Sequence, residues 1–352
     1  MEVSQERVPG CPKRMVFGPC GGVHDDGTCE MLPAPCVFDE PGGLPIAPAS
    51  PVAPVGDPDA VAGDRPVEPS RSAWRPPTIL TDLSVPPADA ATLQSTARLL
   101  AGSCDAVLVG DHQDRIDFPP STLARLIADA GAQPWVTLAC RDRNRVALEQ
   151  ELRALALDGL ATVLCVTGDG RAYDVRPDAT QAFDLDGTRL AALAAALGLP
   201  VAVAETPTAR PVALRPRRLV HKQAAGARVG ALNHVPTAAE LDEFLDAARA
   251  AGLQMPVIAS VVVFTDQRSA DALAALPGLQ IAAERRERVL TADDPVEAGI
   301  AAAVDEAVLL LGMHGVAGVN LSGLASADGV QAAAEIQAEI GRRVREARGV
   351  RP

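Results

Sequence analysis

The sequence predicts an α/β fold, a (β/α)8 TIM-like barrel preceded by a small Cys-rich metal-binding module. Three observations support the barrel. From about Thr78 onward, short apolar β-rich runs alternate with segments of helical period. Eight strand-then-helix units in about 270 residues match the usual size of such a barrel. The strand candidates are also apolar enough to be buried on both faces, as parallel strands are.

The predicted strands are TILTDL (78–83), DAVLVGD (105–111), PWVTLAC (134–140), TVLCVTGD (162–169), VAVAET (201–206), ARVGALN (227–233), PVIASVVVF (256–264) and GVAGVNLSG (315–323). The predicted helices are 92–101, 145–157, 188–197, 217–225, 238–251, 296–311 and 330–347. A doubly wound open sheet is the alternative fold. It would normally carry a Gly-rich phosphate-binding turn after the first strand, and TDLSVPPAD is not such a turn.

The chain divides into three predicted parts. Residues 1–40 form the Cys-rich module, and residues 41–76 form a linker dominated by Pro, Ala, Gly and Asp. Residues 77–349 form the barrel.

Composition narrows the classes of function. The net charge is -13, which opposes binding to nucleic acid phosphates or anionic lipid. No apolar run reaches the length of a membrane span, and MEVSQERVPG lacks the apolar run of a signal peptide. We therefore expect a cytoplasmic protein with a small-molecule ligand, and a protein partner or homo-oligomer stays open.

Four cysteines stand close together in the N-terminal part, at Cys11, Cys20, Cys29 and Cys36. In a reducing compartment, clustered thiols favour metal ligation over disulfides, because thiolate is a soft ligand. Their spacing is not the paired C-x2-C of a zinc finger. We predict one structural centre with zinc as the metal, and an iron–sulfur cluster as the alternative.

Polar residues follow the predicted strands at the end where barrel enzymes place their chemistry. These candidates are Asp82, Asp111, Asp169, Glu205 and Asn233. Each alone is weak evidence, since acidic residues at strand ends often cap the next helix. Their convergence on one face of the barrel is the stronger observation, and it makes Asp111 and Glu205 candidate substrate contacts.

The stretches VTLACRDRNRVALEQELRALALDGLATVLCVTGDG, AFDLDGTRL and RRLVHKQAAGAR resemble the methylenetetrahydrofolate reductase family. The pattern CPK…GPCGG…DGTCE…C resembles a Cys-rich module that accompanies some bacterial members, where it is known as the family's C-terminal domain. Here it lies at the N-terminus. The resemblance implies a (β/α)8 barrel that reduces 5,10-methylenetetrahydrofolate to 5-methyltetrahydrofolate.

The resemblance also implies roles for individual residues on the folate side. Asp169 of TGDG matches the aspartate that faces the pterin and the flavin, and Asn233 stands where the family has a folate-contacting glutamine. The family's proton-donating glutamate falls on Leu83, one residue after Asp82. A shift of one residue turns a strand side chain to the other face, so Asp82 can act as the acid only with a different register.

On the cofactor side, the resemblance implies contacts from Thr137, Thr167, Gly168, Phe183 and Lys222. Both threonines stand where many members carry a His and an Arg that hold the flavin. Three functions therefore compete. The first is a reductase in which NAD(P)H passes hydride directly to the folate without a tightly bound flavin. The others are a folate-dependent one-carbon enzyme of different outcome and a non-catalytic folate-binding or partner subunit.

Overall fold

The computed structural model describes residues 10–39, 74–112, 115–171, 175–274, 279, 281–323 and 326–349. Most of the predicted linker, residues 41–73, lies outside these ranges. In the N-terminal part, two short antiparallel strands form a hairpin, β1 (Thr28–Cys29) and β2 (Leu32–Pro35).

Eight parallel strands close into a barrel in chain order, with the last strand pairing to the first. They are β3 (Ile79–Asp82), β4 (Ala106–Val109), β5 (Pro134–Ala139), β6 (Thr162–Val166), β7 (Val201–Glu205), β8 (Val229–Leu232), β9 (Val257–Val263) and β10 (Val316–Gly323). All eight predicted strands are confirmed. Each observed strand is one to three residues shorter than the predicted range. The (β/α)8 prediction is therefore confirmed, and the doubly wound alternative is wrong.

The helices are α1 (Ala90–Leu100), α2 (Pro120–Asp129), α3 (Arg145–Asp158), α4 (Gly187–Ala196), α5 (Arg215–Ala224), α6 (Ala238–Ala250), α7 (Gln267–Ala274), α8 (Ala283–Leu290), α9 (Pro295–Leu311) and α10 (Val330–Ala347). Seven of them match predicted helices to within about two residues, the usual uncertainty of a helix end. The prediction lacked α2, which begins at the second proline of a Pro-Pro pair. It also lacked α7 and α8, which follow β9 and precede α9.

Two helices near the barrel mouth, α3 and α4, begin with side-chain caps. Asn144 accepts a hydrogen bond from the Ala147 amide at the start of α3, and Gly159 ends that helix in the left-handed conformation. Asp186 caps α4 by accepting from the amides of Thr188 and Arg189. These caps fix where each loop leaves the barrel rim.

Barrel residues alternate between two apolar layers. On β3, Ile79 packs between the strands and the surrounding helices, whereas Leu80 packs inside the barrel. Leu83 also belongs to the outer layer. Because side chains alternate along a strand, Asp82 faces the barrel interior as Leu80 does.

The Cys-rich segment, which we define as residues 10–39, packs on the barrel at the carboxyl ends of its strands. Met15, Val23, Cys36 and Phe38 form a small apolar cluster within it. Across the contact, Arg218 on α5 donates to the Phe17 carbonyl at 2.9 Å. In the part of the chain that the structure describes, no helix is both long and apolar enough to cross a bilayer.

Candidate functional site

A cavity of about 280 Å³ opens at the carboxyl ends of the barrel strands, beneath the Cys-rich segment. Its lining includes nine of the residues that the sequence singled out: Cys20, Asp111, Thr137, Thr167, Gly168, Asp169, Glu205, Lys222 and Asn233. The sequence reasoning missed other lining residues, namely Lys13, Arg141, Arg215 and Arg218. The predicted convergence of strand-end residues therefore holds for most of the set.

The loop after β6 brings Asp169 to the cavity. Its side chain is exposed, and the Asp169 carbonyl accepts from Arg141 at 3.5 Å. Gly168, just before it, has φ +89°, a conformation that favours glycine. A Cβ at Gly168 would lie 3.1 Å from Cβ of Arg141, so the bare backbone also allows a close approach to the end of β5.

Glu205, at the end of β7, is buried among three cations. Its carboxylate lies 2.7 Å from Lys222 Nζ, and 3.4 Å and 3.8 Å from the guanidinium groups of Arg215 and Arg218. Burial alone would raise the pKa of Glu205, but the three cations lower it to about 2. Burial lowers the pKa of Lys222 to about 8, a shift that Glu205 partly offsets. Glu205 is therefore ionised at neutral pH, and the cluster keeps an excess of positive charge.

Two further predicted residues lie on either side of the cavity. Asp111 accepts from Arg143 at 2.5 Å and faces Arg141 at 3.4 Å. Asn233 follows β8, is exposed, and donates from its amide to the Thr206 hydroxyl at 2.9 Å. An exposed amide at the mouth can pair with the donor and acceptor edge of a planar heterocycle.

Asp82 lies at the seam between β3 and β10. Its two carboxylate oxygens accept from Asn320 Nδ2 at 2.9 Å and from Ser322 Oγ at 2.8 Å. Burial raises the pKa of Asp82, although both hydrogen bonds act in the opposite direction. Asp82 is not among the residues that line the 280 Å³ cavity. Sequence reasoning missed Asn320 and Ser322, and the signal was available in polar residues at alternate positions of a buried strand, VNLSG.

Three of the five residues expected to contact a cofactor, Thr167, Gly168 and Phe183, also contact the Cys-rich segment. Thr167 Oγ1 lies 3.7 Å from Met15 Sδ and accepts from the Gly187 amide at 2.9 Å. Lys13 Nζ lies 5.4 Å from the centre of the Phe183 ring. Phe183 is buried and has φ +43°, which is rare for a bulky residue. Thr137 lines the cavity from inside the barrel.

The four predicted metal ligands lie in the Cys-rich segment as free thiols. Cys36 belongs to the small apolar cluster, and Cys11 and Cys20 pack against it. Cys29 Sγ accepts from the Met31 amide at 3.5 Å, and Cys20 Sγ lies 3.4 Å from Glu30 Oε1. Throughout the described ranges, no three His, Cys, Asp or Glu side chains are arranged as ligands of one metal ion. The thiols thus share one neighbourhood but do not form a coordination site in this structure.

A second cavity of about 620 Å³ lies at the opposite end of the barrel. Trp74 and Arg228 line it, with the guanidinium 5.9 Å from the ring centre, and Trp74 donates to Thr162 at 3.1 Å. It is the larger of the two cavities. However, barrels place their chemistry at the carboxyl ends of the strands, and the titratable residues named above also gather there, so we assign the site to the smaller cavity.

One solved structure with a TM-score above 0.5 has a fold similar to this barrel. An uncharacterized protein from Clostridium thermocellum, which binds two copies of 5-methyl-5,6,7,8-tetrahydrofolic acid, is 13% identical over 75% of this chain and 94% of its own, with a TM-score of 0.53. Tryptophan synthase from Mycobacterium tuberculosis is 14% identical over 76% of this chain and 92% of its own, with TM-scores of 0.45 and 0.44 in two structures. No curated protein matches the sequence at a significant level.

The model of one protein family, methylenetetrahydrofolate reductase, matches residues 107–338. This range covers more than half of the 352 residues and spans the barrel from β4 into α10. It includes Asp111, Asp169, Glu205, Lys222 and Asn233, all of which line the cavity. The chain therefore belongs to the methylenetetrahydrofolate reductase family.

Proposed function

We propose that the protein reduces 5,10-methylenetetrahydrofolate to 5-methyltetrahydrofolate in the mouth of its barrel. Family membership supports a folate enzyme, and the structural relative from Clostridium thermocellum binds methyltetrahydrofolate. Asp169 would face the pterin, where a carboxylate stabilises a developing iminium cation. Asn233 would pair with the polar edge of the pterin.

The observation that favours reduction is a buried acid at the end of β3: Asp82 faces the barrel interior, although it does not line the 280 Å³ cavity. Opening the methylene bridge leaves the N10 nitrogen with an electron pair that must take up a proton, while a hydride adds to the methylene carbon. A carboxylic acid facing the barrel interior, with a pKa raised by burial, is suited to donate that proton. On this proposal, Asp82 replaces the family's glutamate, whose position here is Leu83 in the outer layer.

The hydride would come directly from NAD(P)H, without a tightly bound flavin. The Cys-rich segment touches three of the residues expected to hold the cofactor, through Met15 on Thr167 and Lys13 on Gly168 and Phe183.

Two other functions remain candidates. A folate-dependent one-carbon enzyme of different outcome would use the same pterin contacts without a nicotinamide donor. A non-catalytic partner subunit would bind folate without turnover. These candidates would be favoured if the protein bound folate but reduced none of it with NADH or NADPH. A cytoplasmic location and a protein partner or homo-oligomer stay predictions.

We also propose that Cys11, Cys20, Cys29 and Cys36 bind one structural metal centre, with zinc favoured over an iron–sulfur cluster. The support is the donor set: three of the four thiols contact one small cluster that has few apolar residues of its own. Metal ligation would contribute to folding such a segment. A closed four-thiolate site keeps no open position for catalysis, so its role would be structural.

Titration calorimetry with methyltetrahydrofolate tests the site. We expect the parent to bind, and Asp169→Asn and Asn233→Ala to bind more weakly or turn over more slowly. The effect of Asp169→Asn should fall more on turnover than on affinity, because its charge matters most once the cation forms. If both variants bind and turn over like the parent, the site assignment is wrong. An absorbance spectrum of the purified protein separately reveals a flavin or an iron–sulfur cluster.

A further inference from the structure

The loop that carries Asp169 is held at both ends by the Cys-rich segment. Lys13 Nζ donates to the carbonyl oxygen of Gly168 at 2.7 Å. The amide of Gly170 donates to Glu30 Oε2 at 2.7 Å. Lys13 and Glu30 in turn form an ion pair with each other. Two residues that lie 17 positions apart in the segment therefore hydrogen-bond to the backbone immediately before and after Asp169.

This ion pair is buried, unlike most ion pairs on protein surfaces. The side chains of Lys13 and Glu30 are 2% and 12% exposed. Buried charges are retained where each has a partner and further hydrogen bonds. Here the further hydrogen bonds are those to the Asp169 loop.

The loop itself needs an external support. Glycines flank Asp169 on both sides, and glycine restricts the backbone least. They also make the contact with the segment sterically feasible, since a Cβ at Gly170 would lie 2.2 Å from Met31 Sδ. The two glycines therefore allow the segment to approach closely. They also leave the loop too weakly restricted to set the direction of the Asp169 side chain by itself.

We infer that Lys13 and Glu30 are positioning residues that hold Asp169 at the cavity, so that the Cys-rich segment is part of the ligand site. The role of Asp169 rests on the proposed function. The two hydrogen bonds that hold its loop are observed independently of that function. It joins two sequence motifs, CPK near the N-terminus and TGDG after β6, in one structural unit.

The test replaces the pair in the full-length chain with Lys13→Met and Glu30→Met together, so that no unpaired charge is left buried. We expect amide hydrogen exchange in the peptide containing Gly168–Gly170 to be at least about tenfold faster, and methyltetrahydrofolate binding to weaken about tenfold or more, since two charge-assisted hydrogen bonds are lost. The matched control is Arg14→Met. It removes another contact between the segment and the barrel, the pair with Asp184 at 2.9 Å, and should change neither readout.

A charge swap, Lys13→Glu with Glu30→Lys, separates positioning from mere stabilisation. It restores the attraction between the two side chains but sets a carboxylate against the Gly168 carbonyl and an ammonium against the Gly170 amide. We expect the swap to be more thermally stable than Lys13→Glu or Glu30→Lys alone, each of which leaves two like charges side by side. The hydrogen-exchange protection of the loop and the folate affinity should not recover. If the charge swap recovered both loop protection and folate affinity, the inference would be overturned. Parent-like hydrogen exchange or parent-like affinity in Lys13→Met with Glu30→Met would overturn it as well. If the parent itself binds no methyltetrahydrofolate, the proposed function fails and the exchange comparison alone decides whether the grip exists.

Discussion

Asn320 Nδ2 donates a hydrogen bond to Asp82 Oδ1 at 2.9 Å, joining the last barrel strand to the first. Ser322, two residues further on the same strand, donates to the other oxygen of the carboxylate. Asp82 is thus oriented by the strand that closes the barrel. For the proton donor that we propose, these two contacts supply a fixed orientation.

Asp82→Asn should reduce the rate of methylenetetrahydrofolate reduction by about a hundredfold or more, because an amide cannot donate the proton to N10 as an acid does. The measurement is steady-state reduction with NADH and NADPH, with folding checked by a thermal melt. Asp89→Asn is the matched control: Asp89 caps α1 outside the site, and asparagine caps a helix equally well. A loss of only a few-fold in Asp82→Asn would remove Asp82 as the acid.

The pH dependence of that rate should follow the ionisation of Asp82. The acid form is the active one, so the rate falls as pH rises through its raised pKa. Asn320→Leu removes a hydrogen-bond donor that stabilises the ionised carboxylate, so the pKa of Asp82 should rise. The alkaline limb, the pH range over which the rate falls, should then move upward by about 1–2 pH units, which corresponds to the loss of one hydrogen bond to a charged group.

Thr81→Val is the control for that shift. Thr81 is buried on the same strand as Asp82, and its hydroxyl donates to the Leu321 carbonyl at 3.5 Å. Because neighbouring side chains on a strand point to opposite faces, Thr81 points away from the side that Asp82 occupies. The alkaline limb should stay in place in this variant. A limb that stays in place in Asn320→Leu as well would show that another group controls it.

The sequence predicted the barrel and most residues of its mouth because both depend on local pattern. Short apolar runs indicated the strands, and the rule that chemistry follows strand ends selected Asp111, Asp169 and Asn233. Partners distant in sequence were not predictable: Asn320 reaches Asp82 across the seam, and Lys13 reaches Gly168 from the N-terminal segment. The resemblance places the family's glutamate at Leu83, which lies in the outer layer, whereas Asp82 faces the barrel interior. The role of Asp82 as the acid stays a prediction.

Glu205→Gln should lower the free energy of unfolding by about 3–5 kcal/mol, because it leaves three buried cations without their shared anion. Chemical denaturation at neutral pH measures the change. Glu149→Gln is the matched control. Glu149 pairs with Arg145 at 2.7 Å on the exposed face of α3, where such a pair contributes only about 0.3–0.5 kcal/mol.

The effect of Glu205 should depend on pH with a definite sign. The folded-state pKa of about 2 lies below the ordinary value of 4.5, so the unfolded chain binds the proton more readily. The stabilisation is therefore complete above about pH 4.5 and is lost as pH falls toward 2. The difference between the parent and Glu205→Gln should narrow over that interval. A difference that stays constant from pH 6 to pH 3 would contradict the buried charge cluster.

Metal content tests the proposed centre in the Cys-rich segment. The intact protein should contain about one zinc per chain by elemental analysis, and a variant with Cys11, Cys20, Cys29 and Cys36 all changed to Ser should contain none, because hydroxyls are poor zinc ligands. Cys104→Ala is the control, since Cys104 is buried in the barrel core and should leave the metal in place. A broad visible absorbance band in the parent would indicate an iron–sulfur cluster instead. Equal metal content in the parent and the four-Ser variant would end the proposal.

If zinc orders the segment, chelation should also speed hydrogen exchange in the peptide containing Gly168–Gly170, since Lys13 and Glu30 hold that loop from the same segment.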